Sequence, residues 1–319
     1  MEGGANGSVL VASETENLLA AIGMSTLSTA GLLAYGLVFY VVYRCRADLA
    51  ASFYALLLSL GLADCLVLLL MVFYAAPCTV LKQRQPLLES LGPVAGVTMN
   101  VAWYSLCANT AVVSINRCWA VCRFASYGRV FCLGNTWRVI AACWLFAVAT
   151  ALVEEFVLRC DFRWIAASYT WGYHGRSEPG WSIILWYGRA VIFFSCSCII
   201  GSYASILKTT RRLKKQLAVG RSAESEDERQ QQQRLELRLA LQSVPVAAAL
   251  LVGDAVFTVV PEFTSYRWHL YLVTLTTVLV VAMKPLIYLT LNTVVHRHLR
   301  SMLGLGVKRE NGATNATRA

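Results

Sequence analysis

The sequence predicts an all-α membrane protein: a seven-transmembrane helix bundle with a short amphipathic eighth helix. Three observations predict it. Of the 319 residues, 57% are hydrophobic and 14% charged, with a mean hydropathy of +0.55, whereas soluble domains carry about 25% charged residues. Seven apolar stretches, at about 18–43, 50–76, 93–122, 137–158, 181–207, 239–260 and 268–290, reach the ~20 residues that cross a hydrocarbon core. The net charge of +10 is scattered between those stretches. Such placement acts as a topology signal and argues against nucleic acid as a partner.

Orientation follows from the same charges. With the N-terminus outside, 19 Lys and Arg residues fall on the cytoplasmic side and 6 on the outer side. The positive-inside rule therefore expects an extracellular N-terminus and a cytoplasmic C-terminus at the plasma membrane. Residues 1–17 form an extracellular tail without the basic n-region of a cleavable signal. Residues 18–290 form the bundle, 291–304 a basic amphipathic surface helix, and 305–319 a cytoplasmic tail. Asn6-Gly7-Ser8 is a glycosylation sequon on the outer side; Asn315-Ala316-Thr317 faces the cytosol and stays unmodified.

The first span is rich in Gly, Ala and Ser, as suits close packing in lipid. The second carries Asp64 near mid-membrane and is closed by Pro77. The third ends on Asn116, Arg117 and Cys118, and a loop over 124–136 follows. The fourth contains Trp144 and ends at Glu154 and Glu155; the fifth contains Arg189 and Tyr203. Between them lies an outer loop rich in aromatics: Trp164, Tyr169, Trp171 and Tyr173. These rings either cover a pocket or rest in the headgroup belt. Ser225 with Glu228 is a capping-box pattern leading toward the sixth span, which carries Asp254. The seventh ends in Lys284-Pro285-Leu286-Ile287-Tyr288. Of 11 cysteines, Cys78 and Cys160 fall on the outer side, where a disulfide persists.

Taken in order, these motifs resemble those of rhodopsin-like (class A) G-protein-coupled receptors over about residues 18 to 303. LGLADCL is similar to the second-helix motif with its buried aspartate, Asp64. SINRCWAV resembles the Asp-Arg-Tyr end of the third helix, with Arg117 as its arginine. Trp144 and Tyr203 match the fourth-helix tryptophan and fifth-helix tyrosine, and KPLIY resembles Asn-Pro-x-x-Tyr. The chain departs at several places. Tyr35 replaces the first-helix asparagine, Asn116 the acid before the arginine, and Cys118 the tyrosine after it. Gly92 stands where the third-helix cysteine belongs, Ser195 where the fifth helix has proline, and the Cys-Trp-x-Pro motif is missing. Such erosion suits a divergent member, of the orphan or virus-encoded kind.

The resemblance implies a receptor, not an enzyme, that signals to a heterotrimeric G protein. It needs no cofactor, takes an extracellular ligand of unspecified identity, and sits among membrane lipids; dimerisation is left open. Arg117, with Asn116, Cys118, Tyr203, Pro285 and Tyr288, forms the coupling end. The alternative for Arg117 is a basic residue that only marks the interface. Because Asn116 lacks an acid's charge, with Glu236 as the nearest cross-helix acid, the off state is weakly restrained and basal activity is expected.

In the family the second-helix aspartate binds sodium. Here Lys284, with Tyr35, is expected to pair with Asp64 and replace that ion, since buried ions in a bilayer pair or serve function. The alternative is that Lys284 snorkels toward headgroups. Glu154, Glu155, Arg189, Asp254 and Trp171 are candidate pocket residues, a Glu–Arg salt bridge between the fourth and fifth spans among them; interfacial charges are the plainer reading. Cys78–Cys160 is a candidate substitute for the absent disulfide.

Two rivals remain. A retinal pigment needs its lysine seven residues before Pro285, where Val278 stands. A transporter or ion channel would use Asp64, Arg189, Asp254 and Lys284, yet no internal repeat is apparent.

Overall fold

The computed structural model describes residues 13–44, 51–81, 85–173, 180–218 and 266–291, with positions 248, 251–253, 255–256, 259–260, 263–264, 296 and 299. Every backbone polar group within a bilayer must be satisfied internally, so helices dominate. Helix α1 is Glu14–Arg44. Its start is fixed by a reciprocal cap: Ser13 N–H donates to Glu16 Oε2 (2.8 Å), and Glu16 N–H donates to Ser13 Oγ (3.1 Å). The helix therefore begins inside the stretch expected as tail.

Helix α2, Ala51–Leu70, runs through a π-helical turn, Met71–Ala75, into α3, Ala76–Leu81. Pro77 does not close this span as expected. Ala76 N–H reaches back to Met71 O across the wider turn, and the missing proline N–H falls just beyond that irregularity, where it costs the helix little. A short helix α4, Pro86–Ser90, leads into α5, Gly92–Cys122. The expected loop over 124–136 instead holds α6, Phe124–Val130. Then come α7, Leu133–Leu152, with a π-helical turn at Val153–Val157, and α8, Gly180–Ala218. Helix α9 is Arg267–Leu291. The sixth span (239–260) and the surface helix (291–304) fall mostly outside the described residues, although the described positions 248, 251–253, 296 and 299 are helical.

Among the described residues, five helices are long and apolar enough to cross a membrane: Glu14–Arg44, Ser52–Leu81, Leu133–Val157, Ser182–Arg212 and Arg267–Thr290. Helix α5 is equally long but buries Asn100, Ser105, Asn109, Thr110, Ser114, Asn116 and Arg117. It can afford them because it is central, packed against α2, α7 and α8, while α1 packs against α9. Several of its polar groups meet partners in neighbouring helices. Trp144 Nε1 donates to Ser59 Oγ (3.0 Å), which donates to Asn109 Oδ1 (2.8 Å), tying α7, α2 and α5. Phe73, Leu145 and Phe193 project outward, as lipid-facing side chains do.

The aromatic loop folds as an antiparallel hairpin, β1 (Phe162–Ile165) with β2 (Thr170–Tyr173). Trp164, Tyr169 and Trp171 are all buried in the main apolar cluster. Trp164 Nε1 donates to Thr79 Oγ1 (3.1 Å), Tyr169 Oη to Asn17 Oδ1 (2.8 Å), and Thr274 Oγ1 to Tyr169 O (2.9 Å). Of the two readings of these rings, the structure has them packed between helices. Gly96 makes that docking feasible, since a Cβ there would lie 1.6 Å from Phe162 O. Gly96→Ala is therefore expected to displace the hairpin and destabilise the fold by about 1–3 kcal/mol, whereas Gly128→Ala, with nothing within 4 Å, should not. Thermal unfolding of the two purified variants checks this; equal midpoints would contradict it.

Candidate functional site

Polar groups form three buried clusters in the bundle. At one end Arg117 is 1% exposed, its guanidinium carbon 3.2 Å above the Phe53 ring centroid. Asn116 is buried and turns its amide to Tyr127 Oη (3.2 Å) in α6. Cys118 and Cys122 lie one turn apart, Cys122 3.2 Å from Thr209 Oγ1 in α8. Tyr203 packs with Val121 and Ile206. Tyr288, three residues past Pro285, is buried among the apolar side chains of α1, α2 and α5. Glu236 lies outside the described residues.

The second cluster joins three helices. Lys284 Nζ of α9 donates to Asp64 Oδ1 of α2 at 2.7 Å, and Tyr35 Oη of α1 donates to Asp64 Oδ2. Asp64 and Lys284 are each 0% exposed. Lys284 therefore does not snorkel: its ammonium is spent inside the bundle.

The third cluster lies under the hairpin. Glu154, in the π-helical turn after α7, is 2% exposed. Asn100 Nδ2 donates to its Oε2 (2.9 Å), Tyr173 Oη to the same oxygen (3.3 Å), and Tyr104 Oη to Oε1. The expected salt bridge to Arg189 is not formed. That guanidinium sits 5.4 Å from the Trp186 ring centroid on its own helix. Glu155 is only partly buried, near Asp161 and Arg163, which pair with each other. Trp171 is buried and stacked between Tyr74 and Phe162. Asp254 and Asn6 lie outside the described residues.

Cys78 and Cys160 are not joined to each other; both are thiols. Cys160 Sγ faces Leu158 O (3.4 Å) and the start of α8 at Gly180. Cys78 is buried beside Tyr74 in α3. The two side chains serve different elements, and docking at Gly96 replaces a covalent tether.

Asn100, Tyr104 and Gly96 were missed from the sequence. Gly92, Gly96, Asn100 and Tyr104 recur every four residues and so share one face of α5. The Gly-x-x-x-Gly pair at its head, a known mark of close backbone approach, was the available signal.

Comparison with known families bears on this arrangement. The model of the serpentine type seven-transmembrane GPCR chemoreceptor family Srx matches residues 26–292. The chain belongs to that family. Curated protein sequences give no match. Among solved structures, squid rhodopsin superposes with a TM-score of 0.80 at 15% identity, covering 92% of this chain and 87% of that one. That likeness is one of fold, and with the family match it establishes this Srx member as a divergent rhodopsin-like seven-helix protein of the membrane. It does not extend to a pigment's lysine: Val278 is a fully buried valine.

Proposed function

We propose that this Srx-family chain receives a chemical signal at its outer face and passes it to a heterotrimeric G protein through rearrangement around Arg117. The N-terminus is outside and the C-terminus in the cytosol, as the 19 to 6 division of basic residues requires. The observation that carries this reading is the burial of Arg117 at the end of α5, stacked on Phe53 and beside the α8 contacts of Cys122 and Val121. An arginine there is reached by a partner protein only when the surrounding helices move, which is what a two-state transducer requires.

The residue before Arg117 is neutral and engages Tyr127, so no acid at that position locks the off state. A two-state equilibrium with fewer restraints on its inactive form shifts toward the active one. The expected result is ligand-independent guanine-nucleotide exchange on at least one G-protein family, lost in Arg117→Ala. Exchange no higher than in membranes without receptor, at matched expression across all families, would contradict the proposal.

Lys284 Nζ, 2.7 Å from Asp64 Oδ1, stands where a bound sodium ion would neutralise the aspartate. The tethered ammonium makes the ion redundant. Stability and signalling are therefore expected to be insensitive to replacing sodium by a large organic cation. Lys284→Asn should create that sensitivity, measured as a salt-dependent unfolding midpoint. Sodium dependence in the unmodified protein would refute the substitution.

A further inference from the structure

Among the described residues two carboxylates lie deep in this bundle, and they are treated differently. Asp64 has its counter-ion on the chain, Lys284. Glu154, 2% exposed, has three donors: the Asn100 amide and the Tyr104 and Tyr173 hydroxyls. All three are neutral. Among the described residues no Lys, Arg or His forms an ion pair with it. Neutral donors orient a carboxylate and satisfy its lone pairs, but they leave its net charge in a low-dielectric interior, where an uncompensated ion is costly.

The surroundings are aromatic. Tyr104 meets the Phe146 ring edge-on and the Tyr187 ring at a tilt, with centroids 6.3 and 6.0 Å away. Tyr173 packs on Phe162 at 4.7 Å. A carboxylate whose hydroxyl donors belong to a cluster of aromatic rings is the chemistry that holds an alkylammonium, by charge at the carboxylate and by ring quadrupoles around it. On the α8 side the approach to this group is not crowded by the described residues: a Cβ built on Gly188 would meet only the Tyr104 hydroxyl, at 4.0 Å.

We propose that Glu154, with Asn100, Tyr104 and Tyr173, is the recognition site for a ligand bearing a protonated amine, which supplies a cation that none of the described side chains gives this carboxylate. The inference rests on the receptor reading above and names the chemical class of its signal. The cation enters as ligand and leaves as ligand; no bond is made or broken. Asn100 and the two hydroxyls aim the carboxylate oxygens, and the surrounding rings select a hydrocarbon-substituted ammonium over a hydrated metal ion.

The test uses the full chain in lipid nanodiscs, without G protein, so that failure to couple and failure to bind are read separately. The probes are n-butylammonium and phenethylammonium, with n-butanol and phenethyl alcohol as neutral counterparts of the same shape. The unfolding midpoint is expected to rise with concentration of at least one ammonium and not with its alcohol. Glu154→Gln keeps the side-chain size and hydrogen-bonding capacity, and it should weaken that ammonium roughly thirtyfold or more, as loss of one partner of a desolvated charge pair does. Tyr104→Phe, which removes one donor, should weaken it roughly tenfold. Absence of any ammonium effect in the unmodified protein, equal effects of amine and alcohol, or an undiminished effect in Glu154→Gln would each overturn the proposal. So would stability that tracks pH through Glu154 while ignoring every amine, which would assign the site to a proton. Amine-dependent stabilisation without nucleotide exchange would count against G-protein coupling and leave the site standing.

Discussion

The Asp64–Lys284 ion pair is the interaction on which the bundle depends most. It is fully buried, it joins α2 to α9, and Tyr35 brings α1 into the same contact. Desolvating both charges is costly, and the pair recovers that cost only because the carboxylate oxygens are filled from two helices at once. Geometry is thereby specified: neither α1 nor α9 can rotate or slide without leaving a charge bare in an apolar interior. The close α1–α9 packing that Gly31 permits against Ala282 lies just beside this pair.

The other organising constraint is the small-residue face of α5. Gly96 lets the hairpin backbone lie directly against the helix, and one turn earlier Gly92 faces the Tyr74 and Arg163 side chains. Trp164, Tyr169 and Trp171 then fill the space between α1, α3, α5 and α9 and are hydrogen-bonded at Thr79, Asn17 and Thr274. A disulfide would tie the same two elements with one bond; here steric fit and several hydrogen bonds do it. The same face continues to Asn100 and Tyr104, so the helix that seats the hairpin also aims Glu154.

Much of this was legible in the sequence because a bilayer punishes exceptions. Span lengths follow from hydrocarbon thickness, and an acid and a lysine in separate spans invite pairing; the structure brings Asp64 and Lys284 together as expected. Features that depend on tertiary fit were not legible. The hairpin strands are only four residues each, too short for the alternation of buried Phe162 and Trp164 with half-buried Arg163 and Ile165 to stand out, so they read as a loop. The donors to Glu154 come from α5 and β2, 54, 50 and 19 residues away, and no local pattern announces them. Pro77 read as a stop because a π-helical turn that absorbs it leaves no residue signature. The expected Glu–Arg bridge failed because sharing the upper halves of neighbouring helices does not fix which way each side chain turns.

The central claim is that one buried ion pair pins three helices, and a double-mutant cycle tests it most directly. Asp64→Asn and Lys284→Met, alone and together, would be compared by unfolding of the purified protein in lipid. Each single change strands a buried partner and is predicted to cost about 3–5 kcal/mol. The double change strands nothing and should cost far less than the sum of the two. Strictly additive losses, or single variants as stable as the unmodified chain, would contradict the account.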